Sequence, residues 1–206
     1  KFHSLRTLWG FMYAHPGKKL MFMGCEIGQF DEWNFRDQIQ WKLLEYPMHS
    51  GMQNYVRHLN RFYQDTPALY EQDQSWDGCT WLNDMDYNRS CLAFMRTARD
   101  GKKIVAVCNF TPVQVDFFQL GLPGPGTLTE VLNSDDERFG GLGIHNAAAC
   151  IAYEEPFCGQ PWSARVTVPP MSCVYFNFEP SKAPLKGKTA SGKVSKAKKA
   201  EKPVKK

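Results

Sequence analysis

The sequence has no apolar run approaching the ~18 residues of a membrane span, and its first residues lack the layout of a secretory leader. No membrane partner is expected. A CxxC pair is also missing, and the cysteines number seven: Cys25, Cys79, Cys91, Cys108, Cys150, Cys158 and Cys173. That odd, unpaired set argues against a disulfide framework and against a zinc site. Several of these cysteines sit in strand-like apolar runs, where a free thiol packs as a small hydrophobe, so a reducing, cytoplasmic setting is the expectation. His15, His49 and His58 have no HExxH-like spacing and read as structural histidines. The Gly-rich Phe139–Gly143 lacks the GKS/T ending of a phosphate loop. Asp84-Met85-Asp86 and Asp135-Asp136-Glu137 lack the alternating oxygen ligands of a calcium loop. Neither a metal nor a cofactor is expected. An initiator Met is lacking too, and Lys1-Phe2-His3 starts in mid-pattern, as a fragment would.

What is present divides by charge. Residues 181–206 hold ten Lys, no Arg and one acid, Glu201, so this segment carries +9 and the remaining 180 residues carry −5, against +4 for the whole. Without aromatics, the segment cannot bury enough apolar surface to offset its ordering entropy, and residues 180–206 are expected to be a disordered basic tail. Lacking Arg and interleaved aromatics, the tail implies no specific nucleic-acid partner.

Apolar periodicity organises the rest. Phe2, Leu5, Leu8, Trp9 and Met12 form a helical stripe over 2–13, ended by Pro16-Gly17. Leu20–Met23 then reads as a short buried strand. Ser50 with Gln53 fits a capping box at the start of a second helix, lined by Met52, Tyr55, Val56, Leu59, Phe62 and Tyr63 and stopped at Asp65-Thr66-Pro67. Helix, buried strand, long loop and helix is the grammar of an α/β barrel or doubly wound sheet. After about residue 75 the period becomes two. Strands are expected at Cys79–Asn83, Ser90–Thr97, Lys103–Phe110, Gln114–Leu120, Leu128–Leu132, Ala149–Tyr153, Ser163–Val168 and Cys173–Phe178, an antiparallel sandwich. Ile104, Ala106 and Cys108 alternate with Val105 and Val107, so both faces of that strand are apolar and it should be central.

The stretch KLMFMGCEIGQFDEWNF, residues 19–35, is where a site is expected. An apolar run stops at Gly24 and delivers Glu26, Gln29, Asp31, Glu32 and Trp33. Glycoside chemistry needs two carboxyl groups facing across the scissile bond, about 5–5.5 Å apart in retaining enzymes. Neighbours such as Asp31 and Glu32 rarely face each other, and one loop cannot flank a sugar from both sides. No catalytic residue is therefore expected here. Gln29, Glu32 and Trp33 are read as substrate contacts at a rim, with Glu26 and Asp37 as organisers of the loop. Trp41 is a further candidate for stacking on a sugar.

These residues also carry a family likeness. HPGKKLMFMGCEIGQFDEWNF, followed by WKLLEYPMHSGMQNYVRHLNRFYQDTPALYEQD, VCNFTP, EVLNSDDERFGG and TVPPMSCVYF, resembles the C-terminal part of bacterial 1,4-α-glucan (glycogen) branching enzymes of the α-amylase superfamily. One departure is Cys25, where that loop is expected to hold Asn. The resemblance implies a fold that is α/β followed by all-β: residues 1–75 as the last strand and helices of an incomplete (β/α)8 barrel, and 76–179 as a C-terminal β-sandwich. It implies an α-glucan substrate and a retaining transfer from an α-1,4 bond to a 6-hydroxyl. It further implies that the nucleophile and acid/base lie on earlier barrel strands, and that a third acid lies just before Lys1. A full barrel needs on the order of 250 residues, so the missing N-terminal part of the same enzyme is an implied partner, and the chain alone should be inactive. Residues 1–50 should then pack poorly on their own, while 76–179 fold independently. Two other readings stay open. One is a non-catalytic glucan-binding or interaction module using Trp76, Trp81 and Trp162; the other is a piece of another amylase-superfamily enzyme, such as a debranching enzyme or trehalohydrolase.

Overall fold

A computed structural model describes residues 1–146 and 149–182; the basic tail expected over 180–206 lies, beyond Lys182, outside the described residues. Helix α1 spans Phe2–Ala14. His15 takes an extended backbone because the following Pro16 disfavours the helical region for the residue before it, and the helix stops there. Helix α2 spans Pro47–Asp65, with Thr66 before Pro67 ending it in the same way. Its start corrects the expected capping box. Pro47 occupies the first helical position, where its fixed φ is preorganised and its missing N–H costs nothing, so Ser50 lies inside the helix and caps nothing.

The eight expected strands all form: β1 Cys79–Asn83, β2 Cys91–Thr97, β3 Lys103–Asn109, β4 Val115–Leu122, β5 Gly126–Asn133, β6 Cys150–Ile151, β7 Trp162–Val168 and β8 Ser172–Pro180. One sheet runs β1-β2-β3-β8-β5-β6, entirely antiparallel, and β4 pairs with β7 in a second, smaller sheet. β3 is central, between β2 and β8, as its two apolar faces require. Val105 and Val107 join Met95, Val174, Phe176, Phe118 and Val166 in the core between the sheets. Ile104, Ala106 and Cys108 face the other way, into a core shared with the helices. The fold therefore has three layers, with the helices on the outer face of the large sheet.

Among the described residues, the barrel end expected over 1–75 is not shown. Leu20–Met23 forms no strand, and Leu20 is 73% exposed. A barrel strand takes its ladder bonds and its cover from neighbours on both sides, and among the described residues no strand lies beside 20–23. Residues 2–14 are not poorly packed either: Trp9, Tyr13 and Ala14 are buried against the sheet. It is 29–46 that is mostly exposed, whereas Ile27 is fully buried and Met21 and Cys25 pack against the core shared with the helices.

Two buried arginines hold the helical layer down. Arg6 of α1 donates to the carbonyls of Ser134 (2.8 Å), Phe139 (3.0 Å) and Gly140 (3.2 Å) in the turn after β5. Arg96 of β2 donates to the carbonyls of Ala14 (2.7 Å) at the end of α1 and Gly78 (2.9 Å), and pairs with Asp73 at 2.5 Å. Gly10 lets α1 approach: a Cβ there would stand 2.5 Å from Cys173 Cβ and 2.7 Å from the Tyr55 hydroxyl, while its carbonyl accepts from Tyr175.

Removing one partner of a buried charged network leaves the others unpaired. Arg96→Met is thus expected to cost roughly 3–5 kcal/mol, read as a lowered midpoint in urea unfolding; a midpoint within error of the parent chain would contradict the clamp. Gly10→Ala is expected to cost about 1–3 kcal/mol by overpacking, against no loss if α1 could simply shift outward.

Candidate functional site

The loop after Met23 is shaped by two glycines in the left-handed region, Gly24 (φ 82°) and Gly28 (φ 65°), flanking a 3₁₀ turn at Cys25–Ile27. Gly24 has a second reason to lack a side chain, because a Cβ would meet Gln29 Oε1 at 2.7 Å. Gln29 crosses the loop: its Oε1 accepts from the Gln40 backbone N–H at 3.0 Å and its Nε2 donates to the Asp31 carbonyl at 3.2 Å. The Gln40 amide donates in turn to Asp31 Oδ2 at 2.5 Å. The loop is pinned to α2 by His49, whose Nδ1 donates to the Ile27 carbonyl at 2.7 Å and whose ring packs edge-on against Phe2 and Phe30. Nothing in the sequence singles out His49 from the other histidines, since its role depends on a turn 22 residues away.

The expected site residues separate into two groups. Trp33 stands at the outer edge, 70% exposed, in a left-handed backbone conformation (φ 50°), with its ring 5.0 Å from Phe22. Glu32 beside it is exposed. Asp37 accepts from Asn34 Nδ2 at 2.9 Å, closing the following turn. Glu26 points the other way, into a cavity of about 680 Å³ between the loop, α1 and α2. Trp41 is exposed on a separate hollow of about 490 Å³ formed by Gln38–Leu43 and Tyr46.

Among the described residues lining this cavity Glu26 is the one carboxylate, beside Lys19, Arg57 and Arg61. Burial pushes the Lys19 ammonium down to about 8, with Asp73 opposing the shift and Arg96 adding to it; the amine donates to the His15 carbonyl. Among the described residues no group of three or more His, Cys, Asp or Glu could hold a metal ion. The tryptophans of the β layer differ in exposure. Trp76 is 92% exposed, Trp81 leans on Phe94 at 5.4 Å with its other side open, and Trp162 packs partly onto the inter-sheet core.

Known proteins place this arrangement. Residues 81–179 match the alpha amylase C-terminal all-beta domain. The chain is 44% identical over 177 residues to the 1,4-alpha-glucan branching enzyme GlgB of Halothermothrix orenii, covering 85% of this chain and 28% of that one. It is 42% identical over 180 residues to the Aquifex aeolicus enzyme of the same name, covering 87% of this chain and 29% of that one. It thus spans less than a third of the length of these curated relatives. Among solved structures, the catalytic module of a glycogen-degrading pneumococcal virulence factor, SpuA, superimposes with a TM-score of 0.56 at 13% identity, over 86% of this chain and 31% of that one, a likeness of fold. By sequence the chain is a homologue of the bacterial 1,4-alpha-glucan branching enzymes, and it corresponds to the part of them that carries the alpha amylase C-terminal all-beta domain.

Proposed function

We propose that this chain supplies the end of the catalytic barrel, part of the substrate rim and the C-terminal sandwich of a cytoplasmic 1,4-α-glucan branching enzyme. In that enzyme an α-1,4-glucan segment is cleaved, held covalently and transferred to a 6-hydroxyl to form an α-1,6 branch in glycogen. The chain supplies no catalytic acid. The observation that carries the reading is segment 20–46, where Leu20, Phe22, Phe30, Trp33, Phe35 and Trp41 are each exposed and the Phe22 and Trp33 rings meet at the surface. So many large apolar side chains left bare in one short segment are unusual for a soluble protein. A strand-forming stretch with no neighbours, next to an aromatic loop, suits a partner that brings the other barrel strands.

In this arrangement Leu20–Met23 becomes a paired strand when the remaining barrel is present, and the loop from Glu26 to Asp37 stands at its C-terminal end, the end where barrel active sites are built. Trp33 offers an indole face to the C–H side of a glucose unit, with Glu32 and Gln29 beside it for hydroxyl groups. Asp37 and Gln29 keep the loop in shape, whereas Glu26, expected to do the same, faces the cavity beside α2. Chemistry is then performed by acids on the other part, and the role of these residues is to position the glucan.

Complementation tests this directly. The chain is mixed with the complementary N-terminal portion of the Halothermothrix orenii enzyme, and branching of amylose is followed by iodine staining and branch-linkage analysis. The chain alone is expected to show no turnover and the mixture is expected to branch amylose; turnover by the chain alone, or none by an assembled mixture, would overturn the reading. In the assembled enzyme Trp33→Ala is expected to reduce kcat/KM about 5- to 30-fold, as the loss of ~1–2 kcal/mol of ring contact dictates. An unchanged kcat/KM would remove Trp33 from the rim.

A further inference from the structure

Two thiols meet at the centre of the interface between the helices and the large sheet, away from the rim loop. Cys108 of β3 and Cys173 of β8 are register partners on adjacent antiparallel strands, both fully buried, and the Cys108 thiol donates to Cys173 Sγ at 3.4 Å. The backbone of Cys173 fixes the kind of pair. Its carbonyl accepts from the Ser134 N–H at 3.0 Å and its N–H donates to Ser134 Oγ at 2.9 Å, so both groups point away from β3. Cys108 and Cys173 are therefore a non-hydrogen-bonded pair, the closer of the two antiparallel kinds, for which Cα atoms stand about 4.5 Å apart. That spacing lies inside the range a disulfide accepts, about 4.4–6.8 Å. Both thiols are free.

Helix α1 is the lid over this pair. A Cβ at Gly10 would stand 3.1 Å from Cys173 Sγ, and the Tyr55 hydroxyl, buried and without a hydrogen-bond partner, stands 2.7 Å from the same point. Tyr175 donates to the Gly10 carbonyl and holds the helix down beside them. Burial pushes the Cys108 thiol well above its ordinary range, and a thiol reacts far more slowly than a thiolate. In the closed fold the pair is thus protected. It becomes reactive when α1 lifts and water reaches the sulfurs.

We propose that Cys108 and Cys173 form a reversible cross-strand disulfide, made by a peroxide while α1 is lifted from the sheet. Cys173, directly under Gly10, is uncovered first. Its thiolate attacks one peroxide oxygen, the O–O bond breaks, and the departing hydroxide takes up the thiol's proton as water, leaving a sulfenic acid on Cys173. The Tyr55 hydroxyl is placed to donate to that sulfenic oxygen. Cys108, deprotonated in turn, attacks the Cys173 sulfur; the S–O bond breaks, the S–S bond forms, and a second hydroxide leaves as water. Two thiols lose two electrons and one peroxide gains them. The new bond ties β3 to β8 beneath Gly10, at the residue whose backbone holds Ser134 in the turn that Arg6 grips. A chain whose helical layer opens in the presence of peroxide is thereby marked, and a reducing thiol restores it.

The test treats the full chain with hydrogen peroxide in native buffer, blocks the remaining thiols with iodoacetamide after denaturation, and maps the unreduced peptides by mass spectrometry. A peptide linking Cys108 to Cys173 is expected, and dithiothreitol is expected to remove the link. Gly10→Ala, which crowds α1 off Cys173, is expected to speed formation of the link about tenfold, because attack on a transiently open form follows the population of that form. Absence of the linked peptide at peroxide doses that oxidise the half-buried Cys25 and Cys79 would overturn the proposal. So would links from Cys108 or Cys173 to the other five cysteines in equal yield, which an unfolded chain would give. These two readouts need only the parent chain and stand whether or not Gly10→Ala folds. An equal rate in the parent and a folded Gly10→Ala chain would overturn the part assigned to α1.

Discussion

Everything in this molecule hangs on the two arginines that tie helix α1 to the large sheet, Arg6 from the helix to the turn after β5 and Arg96 from β2 to the helix end. A helix end or a turn packed into a core leaves carbonyl groups that must find donors. Arg6 and Arg96 satisfy six polar partners between them, from Ala14 at one edge of the interface to Gly140 at the other. Each guanidinium offers five donors in a fixed fork, more than any other side chain could present in the same volume. Burying them is costly by itself, so their contribution is registry: they fix where α1 ends and how close it lies. Gly10 and Tyr175 complete that constraint by allowing, then bonding, the close approach.

From that clamp the rest of the architecture follows. The large sheet buries both faces, one under the helices and one under β4 and β7, which is why β2, β3 and β8 are apolar on alternating sides. With α1 and α2 committed to the sheet, the connection between them packs at its base through Met21 and Cys25 and is mostly exposed from about residue 29 on. Its shape is nevertheless defined, because the glycines at 24 and 28, the Gln29 bridge and the His49 anchor set the loop without help from a barrel. The aromatic edge is thus displayed by a well-braced support.

The β layer was legible in the sequence because antiparallel strands with buried faces announce themselves by alternation, and Asp100-Gly101 and Pro169-Pro170 mark their ends. The helices were equally plain, apart from the start of α2, where the fixed φ of Pro47 outweighed the capping pattern at Ser50. The strand at 20–23 shows a limit of a different kind. Its apolar run encodes a preference for pairing, but pairing is a property of neighbours, and none lies beside it among the described residues. Of the site, the loop and its exposed tryptophan could be read from GCEIGQFDEW. The division of labour within it could not, because whether Gln29 or Glu26 crosses the loop depends on backbone groups that only the fold brings together. The buried arginines were missed for the same reason: in sequence, Arg6 and Arg96 are ordinary charges on amphipathic elements.

The central claim is that segment 20–46 is a face awaiting the remainder of a barrel, carried on a helical layer that is already clamped to the sandwich. Amide hydrogen exchange tests it most directly, recorded on the isolated chain and again after addition of the complementary N-terminal portion of a relative. The account predicts slow exchange across α1, α2 and the large sheet in both states, with fast exchange at 20–23 that becomes slow on addition. Protection of 20–23 in the isolated chain, or exchange there that the added portion leaves unchanged while assembly is demonstrated, would contradict it.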